Sequence, residues 1–300
     1  MNRRTRGITT LASLLIASSL SGSATPAGGQ SISVFKDLAY TVTRTPDQTM
    51  DVYWAAADRP TVLFIHGGSL QQSGERRSSE VYRDVCKPFV SANISCATMD
   101  YRLAPAHQWP AMPNDVASAV ARLRDLITQR SGDPKRLFLF GHSSGCHLAA
   151  IIGTNPVYLK TVGLSPSDLA GIIPMGCTLD RDDAAIRGLT PALIRASFND
   201  AQDVATFGTP ENYLAANPAG FLGAHVPPVL VVVAQNERFT PSILEQGARF
   251  VRRLLEMQKV ADLVIVPGRH MSSIGDIGKP GDPTFKAVRA FIENPMSAKQ

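Results

Sequence analysis

Charge is scarce in this chain. Only 18% of its 300 residues are Asp, Glu, Lys or Arg, aromatic residues make up 7%, and there are four cysteines. The net charge is +5, but Arg3, Arg4 and Arg6 supply three of those charges, leaving +2 on a chain whose other Lys and Arg residues are scattered. Without a basic stripe interleaved with aromatics, nucleic-acid binding is excluded. No HExxH motif and no Cys/His ligand spacing occur, so no metal is expected. A phosphate loop and a complete dinucleotide fingerprint are also missing, so no cofactor is implied. Neither a repeat at solenoid spacing nor a low-complexity period is present.

What the chain does have is apolar residues, 44% of the total, enough to build a core and to exclude a disordered tail protein. The longest mainly apolar stretch is the thirteen residues Ile8 to Leu20, mixed with Ser and Thr and preceded by the three arginines. It is too short and too diluted to span a bilayer. It reads as an export signal over residues 1–24, with small residues that also allow cleavage after Ala27. A secreted or periplasmic protein without stable membrane insertion is therefore expected. The remaining 276 residues (25–300) suit a single α/β domain.

Short apolar runs recur along that length, alternating with amphipathic segments. Thr61–Ile65, Ile94–Met99, Leu137–Phe140, Ile172–Ile173, Val229–Ala234 and Leu263–Val266 predict strands buried on both faces of a parallel sheet. Two more strands are expected ahead of them, at Ala39–Arg44 and Thr49–Trp54. Helices are expected near Ser79–Ser91, Pro113–Gln129, Ser144–Gly153, Pro241–Gln258 and Pro283–Glu293. The result is an α/β fold with a mainly parallel eight-stranded sheet flanked by helices. One stretch, Cys177–Ala224, breaks the rhythm with Pro, Gly, Asp and Asn clusters, and is too long for a plain connector. It reads as a lid or cap-like insertion.

The strongest motif is Gly141-His142-Ser143-Ser144-Gly145, entered from an apolar strand and left directly into a helix. That context suits a nucleophile elbow, in which Ser143 sits on a strained strand-to-helix turn with small residues on either side. The helix amino terminus behind it favours developing negative charge. An oxyanion needs further donors, and Ile65-His66-Gly67-Gly68-Ser69 follows the third strand in the correct order. The backbone N–H groups of Gly67, Gly68 and Ser144 are the candidates. Chain order then asks for an acid and a histidine after the serine. Among six histidines, His270 alone follows the last strand, whereas His147 sits one turn along the nucleophile helix and reads as packing. Glu237 is the only carboxylate in the loop after Val229–Ala234, 33 residues before His270. Arg238 beside it offers a surface ion pair as the alternative use of that carboxylate, and Asp262 lies too early on its strand to compete.

Together these residues resemble the α/β-hydrolase superfamily, in its esterase and lipase branch related to hormone-sensitive lipase. The likeness runs from about Asp51 to the C-terminus and includes Asp100-Tyr101-Arg102-Leu103-Ala104-Pro105, His107-Gln108-Trp109-Pro110 and the helix from Asn114-Asp115. It implies Ser143 as nucleophile, Glu237 as acid, His270 as base, and Asp100, Arg102 and Asp115 as structural pegs of the active-site loops. Members of the branch usually carry a third glycine after His-Gly-Gly, where this chain has Ser69-Leu70-Gln71. They also carry an N-terminal helical cap, for which too little chain precedes His66. In that respect the chain is closer to compact feruloyl-esterase-like and kynurenine-formamidase-like members. The expected function is hydrolysis of a small carboxylic ester through a Ser-His-Glu triad. An arylformamidase-like amidase with the same triad, and a hydrolase-fold binding protein without catalysis, fit the same motifs. The four cysteines permit two disulfides in three connectivities. Cys86–Cys96 across a helix-to-strand turn and Cys146–Cys177 from the nucleophile helix to a strand end is the expected pairing, with buried free thiols as the alternative.

Overall fold

A computed structural model describes residues 32–43, 45–180, 198–237 and 242–295. Its sheet has eight strands in the order β1-β2-β4-β3-β5-β6-β7-β8. They are β1 (Ser33–Ala39), β2 (Thr49–Trp54), β3 (Thr61–Ile65), β4 (Ser95–Met99), β5 (Leu137–His142), β6 (Gly171–Met175), β7 (Val229–Asn236) and β8 (Ala261–Arg269). The first two pairings, β1 with β2 and β2 with β4, are antiparallel; all the others are parallel. The helices of the described residues are α1 (Cys86–Ser91), α2 (Ala111–Gln129), α3 (Ser144–Thr154), α4 (Pro156–Lys160), α5 (Ala201–Phe207), α6 (Pro210–Ala215), α7 (Ser242–Glu256), α8 (Ser272–Gly275) and α9 (Pro283–Glu293).

The period-2 geometry of the strands divides the core in two. Leu63, Ile65, Leu137, Leu139, Val231 and Val233 face one side and pack with apolar residues of α2, α3, α4 and α7. Val62, Phe64, Phe138, Phe140, Leu230 and Val232 face the other, with α1, α8 and α9. Strands β3 to β6 are buried along their whole length, as their continuous apolar runs require. On α7 the buried positions Ile243, Gly247, Phe250, Val251 and Leu254 recur with helical spacing, which fixes that face against the sheet.

Two predicted elements are corrected. The first strand lies at Ser33–Ala39, not Ala39–Arg44. Tyr40 turns inward to donate its phenol hydrogen to the carbonyl of Asp100, ending the strand, and Val42 beyond it is fully exposed. The helix expected over Ser79–Ser91 is helical only from Cys86. Pro88 lacks the N–H that a continuous helix would direct to the carbonyl of Asp84, so Ser79–Val85 forms successive turns instead. The predicted export signal, Arg44 and Arg238 lie outside the described residues.

The strand ends carry the functional consequence. Ile65 pairs with Met99 and Gly141, His142 with Met175, Met175 with Val232, Ala234 with Val266, and Asn236 with Arg269. The carboxyl ends of β3, β5, β6, β7 and β8 therefore lie on one edge, where open α/β sheets place their ligands. Both disulfides have the expected pairing, Cys86–Cys96 and Cys146–Cys177. The first ties α1 to β4, and the second ties α3 to the loop leaving β6. Replacing Cys146 and Cys177 together with alanine is expected to lower the unfolding free energy by about 3 to 4 kcal/mol, the loop-closure entropy of a crosslink across 31 residues. Urea unfolding of the variant and its parent measures this, and a loss under about 1 kcal/mol would contradict that account.

Candidate active site

Ser143 sits between the last residue of β5 and the first of α3 with φ 56° and ψ −123°. An L-residue tolerates this left-handed backbone only where the surroundings hold it, at a cost on the order of 1–3 kcal/mol. Its N–H donates to the carbonyl of Met175 on β6. Three bare glycines make the space. A Cβ on Gly141 would strike the carbonyl of Gly145, and one on Gly145 would strike the carbonyl of Ile65. A Cβ on Gly67 would come within 2.8 Å of Ser143 Cβ and 2.5 Å of the Tyr82 hydroxyl. The elbow and the His-Gly-Gly loop thus pack closely, which brings Gly67 against Ser143 and leaves Gly68 lining the same groove.

Glu237 follows β7 directly and is buried; His270 follows β8 directly and keeps 20% of its side chain exposed. His270 Nδ1 lies 2.5 Å from Glu237 Oε1. Room for this pair comes from Gly176, at φ 71° after β6: a Cβ there would lie 3.0 Å from Glu237 Oε2 and 3.3 Å from His270 Nδ1. With Nδ1–H committed to the carboxylate, Nε2 is left as the acceptor. Asp262 stands at the opposite end of β8, paired with Leu230, remote from this edge.

Several residues that sequence reasoning passed over hold the site together. His142, the variable position of the elbow, is fully buried. Its Nε2 lies 2.9 Å from the carbonyl of His270, and its Nδ1 lies 2.8 Å from the Tyr82 hydroxyl. A carbonyl can only accept, so Nε2 carries the hydrogen and Tyr82 donates to Nδ1. Burial, with the charge of His270 adding to it, pushes His142 down to about 3 and keeps it neutral. His66, also fully buried and stacked on Tyr101 at 4.4 Å, is lowered by burial to about 4. Its Nδ1–H donates to Gly67 O at 2.6 Å, fixing the start of the loop.

Arg77 closes the same loop from behind. It reaches Asp51 at 2.8 Å, Asp100 at 2.9 Å and Asp37 at 2.6 Å, and its backbone N–H donates to Asp100 at 3.1 Å. The Arg76-Arg77 pair inside an otherwise polar loop was the signal available in the sequence. Asp115, one of the expected pegs, accepts two guanidinium hydrogen bonds and the N–H of Arg102, and also binds Gln48. Asp100 and Arg102 thus both anchor loops through ion pairs.

Two openings meet at Ser143. A cavity of about 220 Å³ lies beside Leu70, His147, Phe207 and Ile243, and a more open groove of about 410 Å³ lies beside Gln71, Ser73, Glu75 and Tyr82. Ser69, Ser143, Gln202 and His270 line both. His147, expected to serve packing, stacks on Trp109 and touches the carbonyl of Ala216 while also lining the smaller cavity. The Cys177–Ala224 insertion contributes Gln202, Thr206 and Phe207 from α5; its residues 181–197 lie outside the described ones.

A family model described as alpha/beta hydrolase fold matches residues 62–271. The chain belongs to that family. Its place in the esterase and lipase branch agrees with the relatives found. Esterase LipC of Mycobacterium tuberculosis is 28% identical over 263 residues, covering 82% of this chain and 62% of the relative. The gibberellin receptor GID1 of Oryza sativa is 35% identical over 98 residues, 32% of this chain and 27% of the receptor. The chain thus spans less than two thirds of the length of either relative. Among solved structures, a truncated carbohydrate esterase from gut microbiota shares the fold with a TM-score of 0.69 and 17% identity, over 90% of this chain and 98% of the other.

Two outcomes follow from the buried groups. Arg77→Ala would leave the partly buried Asp51 and Asp100 without their shared cation, and a loss of about 3 kcal/mol is expected in urea unfolding. His66 and His142 must charge when the chain unfolds in acid. Their folded values lie below the ordinary 6.5, so the unfolded state binds more protons from about pH 6.5 down to about 4 and 3. Stability is therefore full above pH 6.5 and falls with decreasing pH, by on the order of 2 kcal/mol per pH unit once both contribute. Unfolding curves at pH 7.5, 5.5 and 4.5 test this, and His142→Asn should flatten the slope.

Proposed function

We propose that this protein hydrolyses carboxylic esters through an acyl-enzyme on Ser143. The observation that carries the reading is the 2.5 Å contact between Glu237 and His270 at the edge of cavities that His270 shares with Ser143. His270 Nε2 takes the Ser143 hydroxyl proton as Oγ attacks the acyl carbon, and Glu237 supports the imidazolium that forms. The N–H groups of Gly67, Gly68 and Ser144 receive the oxyanion, aided by the amino terminus of α3. His270 then returns the proton to the departing alkoxide, which leaves as the alcohol. A water repeats the sequence to release the acid and restore the Ser143 hydroxyl.

The names of the esterase relatives support this reading. The receptor relative favours a second one, ligand binding without turnover, over the third of the chain where it matches. The complete Ser143, His270 and Glu237 set argues for turnover. We also place the protein outside the cytoplasm, in a secreted or periplasmic setting. Support comes from the arginine-led apolar stretch ahead of Ala24 and from two disulfides, which persist in oxidising compartments.

Ser143→Ala should abolish ester hydrolysis and labelling by a fluorophosphonate while leaving the unfolding midpoint within a few degrees of the parent. His270→Ala should cost as much, and the double variant little more, because the residues act as a unit. Glu237→Gln should lower kcat by about 10³ to 10⁴ with KM less affected. A folded parent protein that is neither labelled at Ser143 nor active on any short ester would favour the binding reading.

A further inference from the structure

The groove of about 410 Å³ differs from the smaller cavity in what its walls can do. Ser69, Gln71, Ser73, Glu75 and Gln202 line it beside Ser143 and His270. Among the described residues, the side chains of Ser69, Ser73 and Glu75 make no hydrogen bond or ion pair, although all three stand around one opening. The two cations nearest Glu75 in the chain are committed elsewhere: Arg76 to Asp47 at 2.7 Å, and Arg77 to Asp37, Asp51 and Asp100. Glu75 and Tyr82 line the same groove, and burial, with the charge of Glu75 adding to it, pushes the Tyr82 phenol up.

Ser69 sharpens the point. It occupies φ 59°, between Gly68 at 112° and Leu70 at 61°. Leu70 has a packing reason for its side chain, being 3% exposed in the core. Ser69 is exposed and packs nothing, so glycine would hold the same backbone without strain. Non-glycine residues kept in this region at a site where substrate binds point to a use for the side chain.

Resting on the esterase reading, we propose that this groove receives the alcohol portion of the ester and selects alcohols bearing vicinal hydroxyl groups. The smaller cavity, where Leu70, Phe207 and Ile243 stand among polar residues such as Thr178 and Thr206, takes the acyl group. A carboxylate only accepts hydrogen bonds, and a vicinal diol offers two donors at the spacing of its two oxygens. The serine hydroxyls and the Gln202 amide both donate and accept, as does Gln71 with the donors it does not give to Thr206, which matches hydroxyl groups and gives no added advantage to a cation. A hydroxyl-poor alcohol would displace water from these solvent-facing groups without replacing its hydrogen bonds, which disfavours it against a diol.

The test compares three acetate esters on the full chain: 1-acetylglycerol, propyl acetate with the same three-carbon skeleton, and acetylcholine. The parent should favour 1-acetylglycerol over propyl acetate by at least about tenfold in kcat/KM. Glu75→Gln should bring that ratio down about tenfold, and Ser69→Gly about threefold. Because Ser69→Gly relieves a left-handed serine, its unfolding midpoint should rise, which separates lost selectivity from lost fold. A parent ratio near one, or a ratio unchanged in both variants, would overturn the assignment. So would a preference for acetylcholine that Glu75→Gln removes, since the groove would then be a cation site. If none of the esters is cleaved and a fluorophosphonate leaves Ser143 unlabelled, the esterase reading itself fails and this assignment with it. Labelling at Ser143 with all three esters cleaved equally well defeats only the groove.

Discussion

The left-handed backbone of Ser143 is the constraint on which the rest of the structure depends. An L-residue at φ 56° and ψ −123° cannot be held by its own chain alone. It is held because β6 takes its N–H and because Gly67, Gly141 and Gly145 lack the Cβ atoms that would push the elbow away. Each of those glycines belongs to a different functional part. Gly67 lies in the loop after β3, Gly141 is the second-last residue of β5, and Gly145 lets α3 lie against the carbonyl end of β3. The close approach that permits the strain is the same approach that sets backbone donors around Ser143. Strain and preorganisation are here one arrangement, kept in place by a sheet buried on both faces.

Behind the loop the structure uses charge where the front uses bare backbone. Arg77 is shared among Asp37, Asp51 and Asp100, and Arg102 grips Asp115. Ion pairs of this burial contribute little net stability against an apolar replacement, but removing one partner is costly. Their effect is therefore geometric. They fix where the turn after β3 and the turn after β4 sit relative to β1 and β2, at the antiparallel edge of the sheet. Fixing those turns leaves Ser69 and Leu70 in their left-handed conformations, since the carbonyl of Leu70 accepts from Ala104 N–H and the loop cannot unwind.

Much of this was legible in the sequence where local pattern and tertiary role coincide. The runs Thr61–Ile65 and Leu137–Phe140 are apolar on both alternating faces because both faces are covered, so they read directly as central strands. That Ser143, Glu237 and His270 stand on one edge of the sheet was legible because strand order dictates which loops share it. Elements at the margins were not. The edge strand Ser33–Ala39 is half exposed, carries no buried stripe, and turns on Asp37 at φ 51°, so its pattern is weak while the Ala39–Arg44 alternation misleads. Arg77, Tyr82 and Gly176 were illegible for another reason. Their roles come from contacts across 23 to 94 residues of chain, and beyond the Arg76-Arg77 pair nothing in their own neighbourhood marks them out. A polar loop with two arginines looks like a solvated face until the three aspartates are seen around one guanidinium.

Three histidines near Ser143 show how environment divides a common side chain into different roles. His66 and His142 are fully buried, and burial drives both below the ordinary value, so that at neutral pH they are uncharged rings with fixed hydrogens. Each then works as a strut. His66 joins the first residue of the loop to the ring of Tyr101, and His142 joins the Tyr82 hydroxyl to the carbonyl of His270. A strut that titrated near neutrality would loosen the site whenever it gained a proton, so low basicity is what makes these two useful. His270 meets the opposite conditions. It keeps contact with solvent, and a buried carboxylate oxygen lies 2.5 Å from its Nδ1. Its backbone is steadied by His142 while its ring is aimed by Glu237. The neutral histidines thus steady the backbone of the one that the proposed mechanism asks to carry the proton.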